Sequence, residues 1–298
     1  MPENTPIWLS LTPDEHEFQY NPQKAFPDVD RYRRNREPAN RAATEALACH
    51  RDIAYGDHPR HAVDIYPAAG TGPAPVHVFL HGGYWRAQDK SSFAYVAGAL
   101  VPLGITTVIV NYELCPDSTL DGVAESALAA MGWIRRNIAD YGGDATRITL
   151  SGHSAGAHLG AEILAHDWTA EGLDRDIVAA ATLISGIYDP TPAKATSVDA
   201  LLKLSDETIA RRNVEARPPR ARCPVTLVVG GLEPWQWIDQ TYRYSHHLHR
   251  NGYAFDLHVV SGRGHFDILD DYLVPDSMVM RAIVGHVGAA ARPGHAPA

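Results

Sequence analysis

The sequence predicts an α/β fold: a mostly parallel, eight-stranded sheet flanked by helices, with a short cap segment. The expectation rests on the spacing of apolar runs, on what lies between them and on one pentapeptide. Short continuous runs rich in Val, Ile and Leu recur at residues 76–80, 105–111, 147–150, 179–184, 225–229 and 255–260, as strands buried on both faces require. Helical patterns fill the gaps at about 91–103, 120–141, 155–166, 235–251 and 276–290, and this βαβα alternation implies right-handed crossovers onto a parallel sheet. The pentapeptide Gly152-His153-Ser154-Ala155-Gly156 directly follows the fifth strand run. A serine in such a setting sits on a sharp strand-to-helix turn, its hydroxyl pushed clear of the sheet.

Residues 1–49 are polar and interrupted by proline and are expected to form an arm packing on a catalytic domain at 50–288. Arg31, Arg33, Arg34 and Arg36 in that arm read as a solvated helix face. Residues 50–55 and 61–67 read as an antiparallel opening pair of strands, joined by Gly56-Asp57-His58-Pro59 and followed by a Gly/Pro/Ala linker at 68–75. Between Tyr188 and Cys223 the chain is rich in proline and charge. Residues 189–222 read as a small cap over the mouth of the site, with one short helix at 206–212 behind Ser205 as N-cap. The last residues, 289–298, are Ala, Pro and Gly with one His and one Arg and read as a flexible tail.

Composition narrows the function classes. A formal charge of −9 over 298 residues disfavours nucleic acid and anionic membrane surfaces as partners. Cys49, Cys115 and Cys223 are an odd, scattered set and read as reduced thiols of a cytoplasmic protein, with no disulfide framework. Met1 to Tyr20 carries Glu3, Asp14, Glu15 and Glu17 and lacks the apolar core of a signal peptide. No stretch approaches the roughly 18 apolar residues a membrane helix needs.

The chemistry is carried by four elements. A serine hydroxyl is a poor nucleophile until a base takes its proton, and that base needs a third group to orient it. With Ser154 after the fifth strand, the partners are expected in the order acid then histidine, each beyond a strand's C-terminal end. His265, in Gly262-Arg263-Gly264-His265-Phe266-Asp267 after the last strand run, is the expected base. Glu233, after Gly230-Gly231-Leu232, is the expected acid, with Asp239 one helical turn further on as the alternative. His81-Gly82-Gly83-Tyr84-Trp85 after the third run reads as an oxyanion loop. Gly83 and Tyr84 would supply backbone N–H groups, and Ala155 a third from a helix N-terminus. Aromatics beyond strand ends, namely Trp85, Tyr188, Trp235 and Phe266, with Tyr84 and Trp237 beside them, suggest an aromatic substrate pocket.

His246, His247 and His249 crowd one helix, but their spacing is not that of a zinc site and they read as an exposed face. No phosphate-binding glycine motif follows any strand, so neither a metal nor a cofactor is expected.

Eight strands in this order, with the serine after the fifth, correspond to the α/β-hydrolase arrangement. Within that group the chain resembles the kynurenine formamidase (arylformamidase) family and its bacterial relatives over about residues 50–270. The residues that carry the resemblance are HGGYW at 81–85, Asp89-Lys90-Ser91, Val110-Asn111-Tyr112 with Cys115-Pro116, GHSAGAHL at 152–159, and Ser185-Gly186 with Tyr188-Asp189. Glu233, Gln240 and His265-Phe266-Asp267 complete the set. The resemblance implies a cofactor-free serine hydrolase that cleaves a formyl group from an aromatic amine, with Ser154 as nucleophile and His265 as base. Glu233 departs from the aspartate more usual in the family. A carboxylesterase, another small-amide, carbamate or imide hydrolase, and a non-catalytic ligand-binding protein of the same fold are the alternatives. The expected partner is a small aromatic amide or ester, and a homodimer is the expected assembly. An amino-acid head group on the substrate would need a partner for which Arg86 is a candidate, although a surface ion pair is the plainer reading of that arginine.

Overall fold

The computed structural model describes residues 10–290. Its strands are β1 (His50–Ala54), β2 (Ala62–Tyr66), β3 (Ala74–Leu80), β4 (Thr106–Val110), β5 (Gly143–His153), β6 (Ala180–Ile184), β7 (Val225–Gly230) and β8 (Phe255–Val260). They form one sheet in the order β1-β2-β4-β3-β5-β6-β7-β8. β2 runs antiparallel to β1 and β4, and every other neighbouring pair is parallel. The eight-stranded, mostly parallel sheet expected from the sequence is thus present. β5 begins at Gly143 and not at 147, because Gly143 pairs with Ala74 ahead of a register shift. A Cβ at that glycine would lie 2.6 Å from Ile138 Cγ1.

Ahead of the sheet lie α1 (Pro13–Tyr20), α2 (Pro22–Ala25) and α3 (Val29–Ala46). Thr12 and Glu15 close a capping box on α1, satisfying two of the N–H groups that a helix start leaves without partners. The later helices are α4 (Ala94–Leu100), α5 (Leu120–Asn137), α6 (Ala155–Ala165), α7 (Asp199–Leu202), α8 (Asp206–Arg212), α9 (Trp235–Arg250) and α10 (Met278–Ala290). The helix expected at 91–103 is broken into 3-10 turns at Lys90–Phe93 and Val101–Leu103 around α4. Pro102, lacking an N–H, cannot continue the α-helical ladder there. Ser205 caps α8 as expected, its hydroxyl accepting from the Thr208 N–H.

Alternation along the strands divides the core. Val76, Val78 and Leu80 of β3, with Val108 and Val110 of β4, pack with α5, α6 and α9 on one face of the sheet. Phe79 and Ile109, between them in sequence, join α4, α10 and Ala43 of α3 on the other. Successive side chains of a strand point to opposite faces, so a sheet covered on both sides reads as a continuous apolar run. Each such fully buried Val, Leu or Phe contributes about 1.5–3 kcal/mol. The two layers hold the C-terminal ends of β3, β5, β6, β7 and β8 at one edge, and the loops leaving that edge carry the candidate site. Among the described residues, no helix is long and apolar enough to cross a membrane. The tail expected at 289–298 falls, from 291 on, outside the described residues.

Candidate active site

β5 ends at His153 and α6 begins at Ala155, leaving Ser154 alone between them at φ 56° and ψ −118°. A non-glycine residue takes that conformation only when its surroundings enforce it. The flanking glycines make the turn possible. A Cβ on Gly152 would lie 2.2 Å from the Gly156 carbonyl oxygen, and one on Gly156 would lie 2.0 Å from that of Leu80. The Ser154 N–H is tied to the Ile184 carbonyl at 2.8 Å, so neighbouring β6 holds the turn as well.

His265 lies in the loop after β8 and Glu233 in the loop after β7. The Ser154 hydroxyl lies 3.1 Å from His265 Nε2, and His265 Nδ1 lies 2.7 Å from Glu233 Oε2. All three residues are buried. The other carboxylate oxygen of Glu233 accepts from the Gly230 N–H at 2.8 Å and from the Ser185 hydroxyl at 2.5 Å. A carboxylate held this way keeps the imidazole in its Nδ1–H tautomer, leaving Nε2 free to accept the serine proton. The sequence left Asp239 open as the acid. In the structure it pairs with Arg243 at 3.0 Å, one turn along α9, while the Glu233 side chain reaches back to the imidazole. Two neighbours steady His265 further. His153 Nε2 donates to its carbonyl oxygen at 2.7 Å, and the Trp237 ring meets the imidazole edge-on with centroids 4.7 Å apart. Burial and the nearby His265 depress the basicity of His153 well below that of an ordinary histidine, so it sits there neutral.

The loop after β3 is strained. Gly83 has φ 120°, and Tyr84 and Trp85 have φ 53° and 56°. A Cβ on Gly83 would lie 2.1 Å from the Ala87 carbonyl oxygen, and one on Gly82 would lie 2.8 Å from His153 Nδ1, so the loop can approach Ser154 only without side chains there. Trp85 is wholly buried and donates to His158 Nδ1 at 3.2 Å, while the Tyr84 hydroxyl donates to the Tyr20 carbonyl at 2.8 Å. His81 is stacked between Tyr112 and Phe93, with burial pushing its pKa down to about 4. Among the described residues, neither the Gly83 nor the Tyr84 N–H finds a protein acceptor. With the Ala155 N–H at the start of α6, these donors are free for an oxyanion.

A profile described as alpha/beta hydrolase fold matches residues 77–268 of this chain. The chain belongs to the alpha/beta hydrolase fold family. It is an enzyme of that type. It is 28% identical to the kynurenine formamidase of Danio rerio over 94% of this chain and 98% of that protein. It is likewise 28% identical to the kynurenine formamidase of Drosophila melanogaster, over 89% and 90%. A provisionally assigned thioesterase from Silicibacter sp. TM1040 superposes with a TM-score of 0.75 at 25% identity, covering 91% of this chain and 98% of its own.

Ser154 and His265 of this hydrolase open into a cavity of about 180 Å³. Its roof is not the segment expected. None of residues 189–222 lines it; Asn21, Gln23, Tyr32, Arg33 and Arg36 from α2, α3 and their flanks do. Residues 189–222 pack beside the site instead, with α1 bound across them through His16 to the Pro192 carbonyl and Glu17 to Ser197. The arginine cluster is accordingly no uniform solvated face. Arg36 is buried, donating to the Phe266 carbonyl at 2.8 Å and to Asp270 at 2.7 Å.

Of the expected pocket aromatics, only Phe266 lines the cavity, with Tyr84 beside it. Trp85 and Tyr188 are core residues, Tyr188 stacked on Tyr244 with centroids 4.1 Å apart. Trp235 starts α9 on the outside and is 59% exposed. A position beyond a strand end does not determine which way a side chain turns, and these three turn away from the cavity. Tyr32 and Phe93 are the lining aromatics that strand-end position did not single out. The expected exposed histidine face of α9 holds His246 and His249, but His247 is buried and bonds the Arg217 carbonyl at 2.8 Å. Among the described residues, His58, His61 and Glu113 bring one ligand atom each within 4.8 Å of one another, outside the cavity lining, with His61 hydrogen-bonded to Glu113 at 2.9 Å.

Proposed function

We propose that this chain is a cofactor-independent arylformamidase, hydrolysing the formyl amide of an aromatic amine of the N-formylkynurenine kind. The observation that carries the reading is the relay from Ser154 through His265 to Glu233, at 3.1 and 2.7 Å. Its substrate class is supported by the similarity, over nearly the whole chain, to proteins named kynurenine formamidase.

In this reading His265 Nε2 takes the Ser154 proton as Oγ attacks the formyl carbon. The N–H groups of Gly83, Tyr84 and Ala155 stabilise the oxyanion, and the imidazolium rests against Glu233. His265 then protonates the leaving nitrogen, the C–N bond breaks, and the arylamine departs from a formyl-serine. Water, deprotonated by His265, attacks the same carbon and releases formate, restoring the serine. The same steps serve an ester. Cytoplasmic residence accords with three cysteines that are all free thiols, and a homodimer is proposed as the assembly, to be checked by light scattering.

The test is kcat/KM on N-formyl-L-kynurenine beside p-nitrophenyl acetate, with Ser154→Ala as the blank. A preference for the formamide beyond its intrinsic reactivity supports the formamidase. Ester turnover alone would reassign the hydrolase to another acyl substrate.

A further inference from the structure

Arg86 reaches the cavity from the same turn as the oxyanion donors, its backbone N–H donating to the Gly83 carbonyl at 3.1 Å. Its guanidinium is only partly satisfied. One terminal nitrogen donates to Gln23 Oε1 at 2.9 Å, whereas Nε is buried without a hydrogen-bond partner. The ion pairs formed by its neighbours leave Arg86 without a carboxylate among the described residues. A guanidinium cannot shed its proton to escape this situation, and a buried donor left unmade costs about 1–3 kcal/mol. The guanidinium nevertheless lines the cavity, so an occupant that brings an acceptor to its terminal nitrogens meets a charge no internal carboxylate has neutralised.

The charge of the lining points to the kind of acceptor. Arg33, Arg36 and Arg86 face one acid, Glu37. Arg36 is held by Asp270 at 2.7 Å, Glu37 reaches Arg41 at 3.5 Å, and Arg33 pairs with Asp30 at 3.6 Å on the exposed side. Among the described residues Arg86 is thus the lining arginine without a carboxylate partner, and it is the nearest of the three in sequence to the oxyanion loop. Beside Arg36, Tyr32 and Phe266 add two aromatic rings to the lining, with centroids 5.7 Å apart. An aromatic body bearing a carboxylate matches both features, because the planar guanidinium fork binds carboxylate in a bidentate manner.

We propose that Arg86 is the anion-recognition residue of this hydrolase, pairing with a carboxylate carried by the aromatic portion of the substrate. The assignment deepens the formamidase reading and rests on it only in that substrate occupies this cavity. A surface ion pair, the plainer sequence reading of Arg86, is replaced by a residue turned toward the site.

The test needs no turnover. 4-Oxo-4-phenylbutanoate and its amide share an aromatic ketone and differ in charge, and titration calorimetry of the whole chain at pH 7.5 measures both. The acid is expected to bind about tenfold or more tighter than the amide. In Arg86→Gln the two should bind within about twofold of each other, and Arg86→Lys should retain an intermediate preference. Gln23→Glu, which leaves Arg86 in place but gives it an internal carboxylate, should also reduce the preference, and it carries the test if Arg86→Gln fails to fold. Equal affinities in the unaltered protein, no detectable binding of the acid, or a preference surviving in both Arg86→Gln and Gln23→Glu would overturn the assignment. If the acid preference holds while N-formyl-L-kynurenine is not turned over, the formamidase reading falls and the role of Arg86 stands.

Discussion

Ser185 donates its hydroxyl to Glu233 Oε1 at 2.5 Å, so the carboxylate that meets His265 with one oxygen is fixed through the other by the loop leaving a different strand. Ser185 follows β6 with φ 51°, and its carbonyl accepts from the Trp237 indole at 2.8 Å. The longer glutamate arm is thereby folded back and clamped between the ends of β6 and β7.

This clamp ranks three substitutions. Glu233→Gln leaves the shape but removes the charge opposite the imidazole, and kcat is expected to fall by about 10⁴, as when a triad carboxylate is made an amide. Ser185→Ala removes one charge-assisted hydrogen bond, and kcat should fall about tenfold with KM little changed. Asp239→Asn removes a carboxylate that pairs with Arg243, away from the imidazole, and should alter kcat/KM less than about threefold. If Asp239→Asn proves the more damaging, the acid role passes to it.

The oxyanion loop yields a second ordering. Gly83→Ala would drive a Cβ to within 2.1 Å of the Ala87 carbonyl oxygen, in a backbone conformation at φ 120°. The loop must shift, carrying the Gly83 and Tyr84 amides with it, and kcat should fall by about 10²–10³. Gly262→Ala, also at positive φ but with nothing within 4 Å of the added methyl, should cost stability by about 1 kcal/mol and leave kcat within a few-fold. Comparing kcat with Tm for the two variants separates loss of the donors from general strain.

The juxtaposition of Ser154, His265 and Glu233 is legible in the sequence because each element is local. A glycine-flanked turn or a strand-end loop is specified by its own few residues, and the parallel sheet brings strand ends together. The roof is not legible, because α3 buries itself with a charged side chain. Arg36 reaches Phe266 and Asp270, more than two hundred residues away, and such a contact leaves no apolar period to read. Trp85 and Tyr188 mislead for the converse reason. Their positions border the site while their rings enter the core, a choice set by packing against His158 and Tyr244.

Arg36 links that roof to the loop bearing His265, through the carbonyl of the next residue, Phe266. With side-chain exposures of 9% and 21%, the Arg36–Asp270 pair is largely buried. Removing one partner should cost about 2–3 kcal/mol, below the value for a wholly buried pair. Arg36→Ala is therefore expected to lower Tm and, by loosening both wall and base, to raise KM and lower kcat together. Asp270→Asn keeps the Phe266 contact and should lower Tm while sparing kcat. Equal kinetic losses in the two variants would show that the Phe266 contact does not position the base.

Glu215 provides a stability prediction away from the site. Burial pushes its carboxyl from the usual 4.5 up to about 7, against the pull of Arg243 and with Asp189 and Asp239 adding to the rise. One of its oxygens is buried without a hydrogen-bond partner. Between these two pH values the folded chain holds a proton that the unfolded chain releases. The stabilisation from Glu215 is thus fully present below about pH 4.5 and is lost as pH rises through about 7. At full effect the swing is on the order of 3 kcal/mol. Glu215→Gln, which stays neutral at every pH, should therefore gain Tm relative to the unaltered chain as pH rises from 5 to 8. Thermal melts at both pH values check this, and a difference that does not change with pH would mean that the Arg243 pair keeps Glu215 ionised throughout.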